Sequence, residues 1–282
     1  MERPFIGSEA LASGAVTSHE LRRYYRAVMP NVYLRKQVQP SLVQRTEAAW
    51  LWSGREAVVA GLSASAMHGA KWIDDGVSVE LIWRNARSPC RVITRADRLA
   101  AGETRSVAGM PVTTPARTAF DIGRRGRIGE AVARLDSLLA ATRVTVDDVI
   151  ALAREHRGAR GLRQLESVLD LVDAGAESPR ETWLRLLLIE ADYPRPRTQI
   201  PVLSPDGRRR YYLDMGWEDH RLAVEYDGDH HRSDPAQFAS DIRRLADLDE
   251  LGWQLVRVAA RSRRDEVLQR VRRAWDRRST LR

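Results

Sequence analysis

One cysteine, Cys90, stands in a chain of 282 residues. That excludes an internal disulfide framework and any zinc site built mainly from thiolates. No apolar run approaches the roughly 18 residues that a membrane-spanning helix requires. The opening Met1-Glu2-Arg3-Pro4-Phe5-Ile6-Gly7 lacks both the long apolar stretch and the cleavage site of a secretory signal. A cytoplasmic protein with no membrane partner is the expectation. Lysine is almost missing: Lys36 and Lys71 are two of 46 basic residues, and the other 44 are arginines. Arginine in such excess also follows from a GC-rich genome. Its distribution therefore says more about a nucleic-acid partner than its amount.

Hydrophobic residues make up 43% of the chain and charged residues 30%, enough for packed cores and against wholesale disorder. The length predicts two or three domains. The net charge of +8 is unevenly spread. Residues 257–282 hold ten arginines against three acids, whereas 214–250 hold eleven acids against four arginines. An acidic stretch beside a basic tail suits a metal site next to a phosphate-binding surface, or simply two solvated helices of opposite charge.

Local patterns divide the chain into three parts, expected at 1–60, 61–175 and 176–282. In the first, Ile6 to Gly14 reads as a short helix stopped by glycine. Val16 to Tyr25 reads as a second helix, with Thr17 as N-cap and Glu20 completing a capping box. Val32-Tyr33-Leu34-Arg35 follows as a strand. Helix, turn, basic helix and strand outline a winged helix-turn-helix, whose second helix would present Thr17, Ser18, His19, Arg22 and Arg23 to DNA. The middle part alternates like strands at 77–83 and 91–94, then shows helical spacing at 116–122, 128–141, 146–154 and 162–172. No chemistry is evident there, and His68 reads as a structural histidine.

After the break at Asp173-Ala174-Gly175-Ala176-Glu177, Ser178-Pro179-Arg180-Glu181 opens a helix with N-cap, N1 proline and N3 glutamate in preferred places. A hairpin at 198–217, a strand ending in Val224-Glu225-Tyr226-Asp227-Gly228, a helix over 235–251, a strand at 253–258 and a basic helix over 264–278 complete the pattern. Glu225 and Asp227 alternate onto one face of their strand, and Asp214 on the hairpin partner can reach that face. Three such acids repel one another unless a cation joins them, and hard oxygen donors suit Mg²⁺ or Mn²⁺. Glu225, after three apolar residues, is expected to be the least solvated and to depend most on that cation. His231, four residues after Asp227, is a candidate proton donor or base. Asp241 and Arg244 read first as an ion pair fixing their helix, with Arg244 a candidate DNA contact.

The set Glu181, Leu213-Asp214-Met215, Val224-Glu225-Tyr226-Asp227-Gly228, His231, Asp241-Ile242-Arg243-Arg244-Leu245 and Leu251-Gly252-Trp253 resembles the nuclease-like domains of domain-of-unknown-function family 559. These are relatives of the very-short-patch-repair endonucleases in the PD-(D/E)XK, restriction-endonuclease-like superfamily. Residues 5–35 resemble the winged-helix segment of actinobacterial AbiEi-type antitoxin proteins, although the glycine-rich approach to the Val-Tyr strand reads Met29-Pro30-Asn31 here. The first resemblance implies that Asp214 and Glu225 hold Mg²⁺ or Mn²⁺, with no organic cofactor. Glu181 would act through water or orient the site, and Asp227 and His231 would take part in acid–base chemistry. The superfamily's usual lysine is replaced by Asp227.

The expected fold is α+β, with a winged-helix and mixed α/β part followed by a restriction-endonuclease-like domain whose central mixed sheet is flanked by helices. The expected function is metal-dependent endonucleolytic cleavage of DNA, in repair or defence. Arg270, Arg272 and Arg273 would grip the backbone. The alternative is a transcriptional regulator or type IV antitoxin-like protein whose nuclease-like domain does not cut.

Overall fold

A computed structural model describes residues 2–85, 87–227 and 235–280. The chain forms two compact units, Met1–Val172 and Asp173–Arg282. The first begins with β1 (Phe5–Ile6), α1 (Gly7–Ala12), α2 (Ser18–Tyr24), β2 (Tyr25–Met29) and β3 (Val32–Arg35). The strands pair antiparallel in the order β1-β3-β2. Ala10, Val16 and Leu21 bury themselves against Phe5, Tyr25 and Tyr33. Thr17 caps α2 and Glu20 closes the box. The helix stops one residue short of its sequence pattern: Tyr25 opens β2, and its ring packs edge-on against Phe5 at 5.0 Å. The β2–β3 turn uses Asn31 at φ 59°, a left-handed conformation that asparagine tolerates. Its side chain bonds the Ser8 amide and hydroxyl, tying the β2–β3 turn to α1.

Next come α3 (Leu42–Trp52), β4 (Val58–Val59), α4 (Gly61–Met67), β5 (Val79–Ile82), β6 (Val92–Arg95), β7 (Thr104–Val107) and β8 (Met110–Thr113). The five strands make a mixed sheet in the order β6-β5-β4-β8-β7. One buried cluster runs from Met29 and Val32 through Leu42 and Leu51 to Leu81 and Val112. Residues from Met29 to Val59 thus share one core with the five-stranded sheet, while Ala10, Val16 and Leu21 form a small cluster of their own. Four helices complete the unit: α5 (Pro115–Gly123), α6 (Ile128–Ala141), α7 (Val146–Glu155) and α8 (Leu162–Leu171).

The second unit contains α9 (Pro179–Glu190), β9 (Arg197–Leu203), β10 (Arg210–Trp217), β11 (Leu222–Asp227), α10 (Pro235–Glu250), β12 (Gln254–Ala259) and α11 (Arg264–Ser279). Its sheet runs β12-β11-β10-β9, antiparallel except for the parallel β11–β12 pair that α10 connects. Leu184 and Leu188 of α9 and Val267 and Val271 of α11 pack with Met215, Val224 and Val256. Leu248 of α10 packs with Ile200, Leu213 and Ala223. Helices therefore cover both faces, as an α+β fold with a central mixed sheet requires. Gly216 is confined to glycine: an added Cβ would lie 2.3 Å from the Leu222 carbonyl oxygen across the hairpin. Among the described residues no helix is long and apolar enough to cross a membrane.

The middle of the chain, silent in sequence, holds a buried ionic network. Arg117 on α5 is 1% exposed and donates to Asp121 at 2.9 Å, to the Arg98 carbonyl at 2.8 Å and to Glu103. Asp121 also accepts from Arg124, which reaches Asp97 at 2.7 Å, while His156 contacts Glu103. Burial works against the Glu103 charge, but His156, the Ala100 amide and Arg117 together hold its carboxyl below the usual range. Arg117→Ala removes the buried cation shared by Asp121 and Glu103, leaving them Arg124 and His156, and is expected to cost about 3–5 kcal/mol. Urea unfolding checks this, with Arg117→Lys recovering only part because one ammonium cannot span both acids.

Candidate active site

The site arises where β10 and β11 part. Their pairing runs from Trp217–Leu222 to Met215–Val224 and then ends, although β11 stays paired with β12 through Asp227. At that point the Asp214 carboxylate accepts the Tyr226 amide at 2.8 Å, satisfying an N–H that the ladder no longer takes. Asp214 also marks an irregularity in β10. Leu213 joins the cluster containing Leu248 of α10, whereas Met215, two residues on, joins the cluster of α9 and α11. Regular alternation would send both to one face. The partner strand is distorted at the same level: Leu213 faces Ile200, Met215 faces Thr198, and the intervening Gln199 has φ 48°. A local break of this kind re-aims a side chain.

The result is a cavity of about 330 Å³ lined by Tyr212, Asp214, Glu225, Asp227, Arg244 and Arg257, among others. Glu225 is 7% exposed. The sequence leaves its charge to an external cation, but the protein supplies one of its own. Arg244 of α10 grips Glu225 with both terminal nitrogens, Nη1 to Oε2 at 3.1 Å and Nη2 to Oε1, and Nη2 also donates to the Tyr212 carbonyl at 3.0 Å. Arg244, expected to pair with Asp241 in its own helix, thus bonds Glu225 directly, and the Asp241 charge acts on it as well. A cue lay in the spacing: Arg244 precedes the buried Leu248 by one helical turn and so faces the sheet. Asp227 shares the Glu225 face of β11 and pairs with Arg257 at 2.8 Å.

Glu181 accepts from the Glu177 amide at 2.9 Å and the Ser178 hydroxyl at 2.8 Å, so its carboxylate closes the start of α9. Burial raises its pKa, against those two hydrogen bonds. Asp214 is raised further, to about 7. Burial is the main cause; the Tyr226 N–H opposes it, the charges of Glu181 and Glu225 add to it, and Arg244 offsets part. Glu181, Asp214 and Glu225 therefore feel one another. His231 lies outside the described residues. Among the described residues no three of His, Cys, Asp and Glu are grouped so as to hold a metal ion. Mg²⁺ uses one or two carboxylates and takes its remaining oxygens from water and phosphate, so Asp214 and Glu225 are donors of the right chemistry for it.

The expected DNA-contacting residues sit in three places, one of them Arg244 on α10, which is bonded to Glu225 at the cavity. Ser18, His19, Arg22 and Arg23 are exposed on α2, but the Thr17 hydroxyl is engaged in the helix cap. Arg270, Arg272 and Arg273 are exposed on α11, off the Val267–Val271–Ala274 stripe that is buried.

A carboxyl whose pKa is raised on folding stabilises the fold fully below its unfolded value, near 3.8, and loses that contribution as pH rises towards 7. Asp214→Asn is therefore expected to flatten the stability profile between those limits. Its gain over the wild type should reach a few kcal/mol at pH 8, where the wild-type carboxyl is ionised. Denaturant titrations at pH 4.5, 6 and 8 check this; parallel profiles for the two proteins would contradict it.

A family model, that of the AbiEi antitoxin C-terminal domain, matches residues 54–171. This is the region of the mixed sheet and the buried network, downstream of residues 5–35, which carry the antitoxin resemblance in the sequence. Two Mycobacterium tuberculosis proteins, from different strains and both described as uncharacterized, are each 30% identical over 218 residues, covering 77% of this chain and 80% of theirs. No solved structure matches. The chain belongs to the family of these mycobacterial proteins, and its central region is similar to the AbiEi antitoxin C-terminal domain.

Proposed function

We propose that the protein is a DNA-directed, metal-dependent endonuclease, in which an N-terminal winged helix and an antitoxin-like middle accompany a cleavage site in the second unit. The observation carrying this reading is the convergence of Asp214 and Glu225 on one cavity where β10 and β11 separate. A sheet of this topology with acids at the parting of its central strands agrees with the restriction-endonuclease-like resemblance of 178–282. Asp214 and Glu225 would hold Mg²⁺ or Mn²⁺, which supplies polarisation of the phosphate and a more acidic water. Asp227, one alternation beyond Glu225, and His231, close in sequence, are the candidates for moving the proton. Arg257 stands at the cavity rim, where a phosphate would arrive. The exposed α11 arginines would bind backbone without regard to sequence.

A second reading has its own support. Glu225 is already neutralised by Arg244, and the antitoxin-like middle suits a DNA-binding regulator that does not cut. Plasmid incubated with the protein and Mn²⁺, with EDTA as control, separates the two. The expected result is nicking by the wild type, none by Glu225→Gln, and retained DNA binding by both in a mobility-shift assay. Binding without cleavage in the wild type would favour the regulator.

DNA affinity should also fall steeply with salt: with six phosphates contacted, log K against log salt has a slope of about −5. Reversing Arg270, Arg272 and Arg273 to Glu should weaken binding and flatten that slope, as measured by fluorescence anisotropy.

A further inference from the structure

Both oxygens of Glu225 are taken by one side chain. Arg244 Nη1 meets Oε2 at 3.1 Å and Nη2 meets Oε1, a bidentate, charge-assisted pair of the strongest hydrogen-bonded class. The pair lies at the cavity wall, the Glu225 side chain 9% exposed and the Arg244 side chain 24% exposed. The carboxylate is therefore fixed while the guanidinium borders open space. The α10 backbone is held independently, by Leu248 in the core below. Arg244 can thus withdraw by rotating its own side chain, without moving the helix. Apart from Glu225 it donates to the Tyr212 carbonyl at 3.0 Å, also on the cavity wall, and the charges of Asp214 and Asp241 act on it. A cation entering between Asp214 and Glu225 needs at least one of the Glu225 oxygens that Arg244 occupies.

We propose that Arg244 is a tethered counter-cation that holds Glu225 in the metal-free protein and competes with a divalent cation for it. This rests on the reading of Asp214 and Glu225 as metal ligands, and it adds that the free protein keeps its own site shut. Arg244 is here a positioning residue. It spares Glu225 an unpaired charge when no metal is present, and it sets a threshold that metal must overcome.

The test is Mn²⁺ binding by titration calorimetry, without DNA, to the full-length wild type, Arg244→Gln, Arg244→Lys and Glu225→Gln, each first checked by circular dichroism. Arg244→Gln is expected to melt lower without metal, to bind Mn²⁺ at least about tenfold more tightly and to gain more in melting temperature from it. Arg244→Lys, which keeps the charge but loses the two-pronged grip, should fall between and serves if Arg244→Gln does not fold. Glu225→Gln should bind Mn²⁺ weakly or not at all. If the wild type binds Mn²⁺ through Glu225 and neither Arg244 variant binds more tightly, the competition proposal alone is overturned. If no variant and no wild type binds Mn²⁺, the metal-site reading falls, and this proposal with it.

Discussion

The second unit depends on where one strand pair stops. As long as β10 and β11 exchange backbone hydrogen bonds, their side chains alternate into two apolar layers beneath α9 and α11 on one side and α10 on the other. Pairing ends at Met215 and Val224, so the N–H groups beyond need other partners, and Asp214 takes that of Tyr226. The same parting leaves Glu225 facing α10 across a cavity instead of being enclosed by the neighbouring strand. The backbone break at Gln199 and Asp214 permits this without disrupting the ladder on either side. A polar site is thereby embedded in an otherwise apolar layer, and burial makes each of its charges interact strongly with the others.

Both units answer buried negative charge in the same way. Arg117 and Arg124 neutralise Asp121, Glu103 and Asp97 in the first, and Arg244 neutralises Glu225 in the second. A chain with two lysines must build its interior ion pairs from guanidinium groups. The choice has a physical consequence. A planar fork satisfies both oxygens of a carboxylate at once, and it loses less conformational freedom per hydrogen bond than a lysine would. In the first unit the networked arginines also lie over the Phe120 ring, at 5.6 Å and 5.1 Å, so the network is packed as well as paired. Such a network fixes the approach of α5 to the β7–β8 hairpin, whereas the single Arg244–Glu225 pair borders a cavity and can be exchanged.

Much of this was legible in the sequence. The capping pairs Thr17–Glu20 and Ser178–Glu181, the hairpin around Asp206-Gly207 and the helical spacing of 128–141 and 264–278 are local signals, and local physics forms them. The acids at 214, 225 and 227 were visible because charges inside an apolar, alternating run need a reason. By contrast α3, β4 and β7 carry little periodicity of their own, and only their contacts with the five-stranded sheet define them. The network of Arg117 was invisible for the same reason. Its members, spread from 97 to 156, mean nothing until three elements bring them together.

The sequence by itself determined the element order of the second unit, the α+β class and the identity of the acidic residues, because periodicity, capping and turn chemistry act over a few residues. Tertiary structure alone decided what each charge meets. Glu181 turns back on its own helix start, Asp214 takes a backbone amide, and Glu225 is met by an arginine nineteen positions away, across a helix and a strand. Partners at such separations are chosen by packing and by the termination of strand pairing. No pattern along the chain encodes that choice directly.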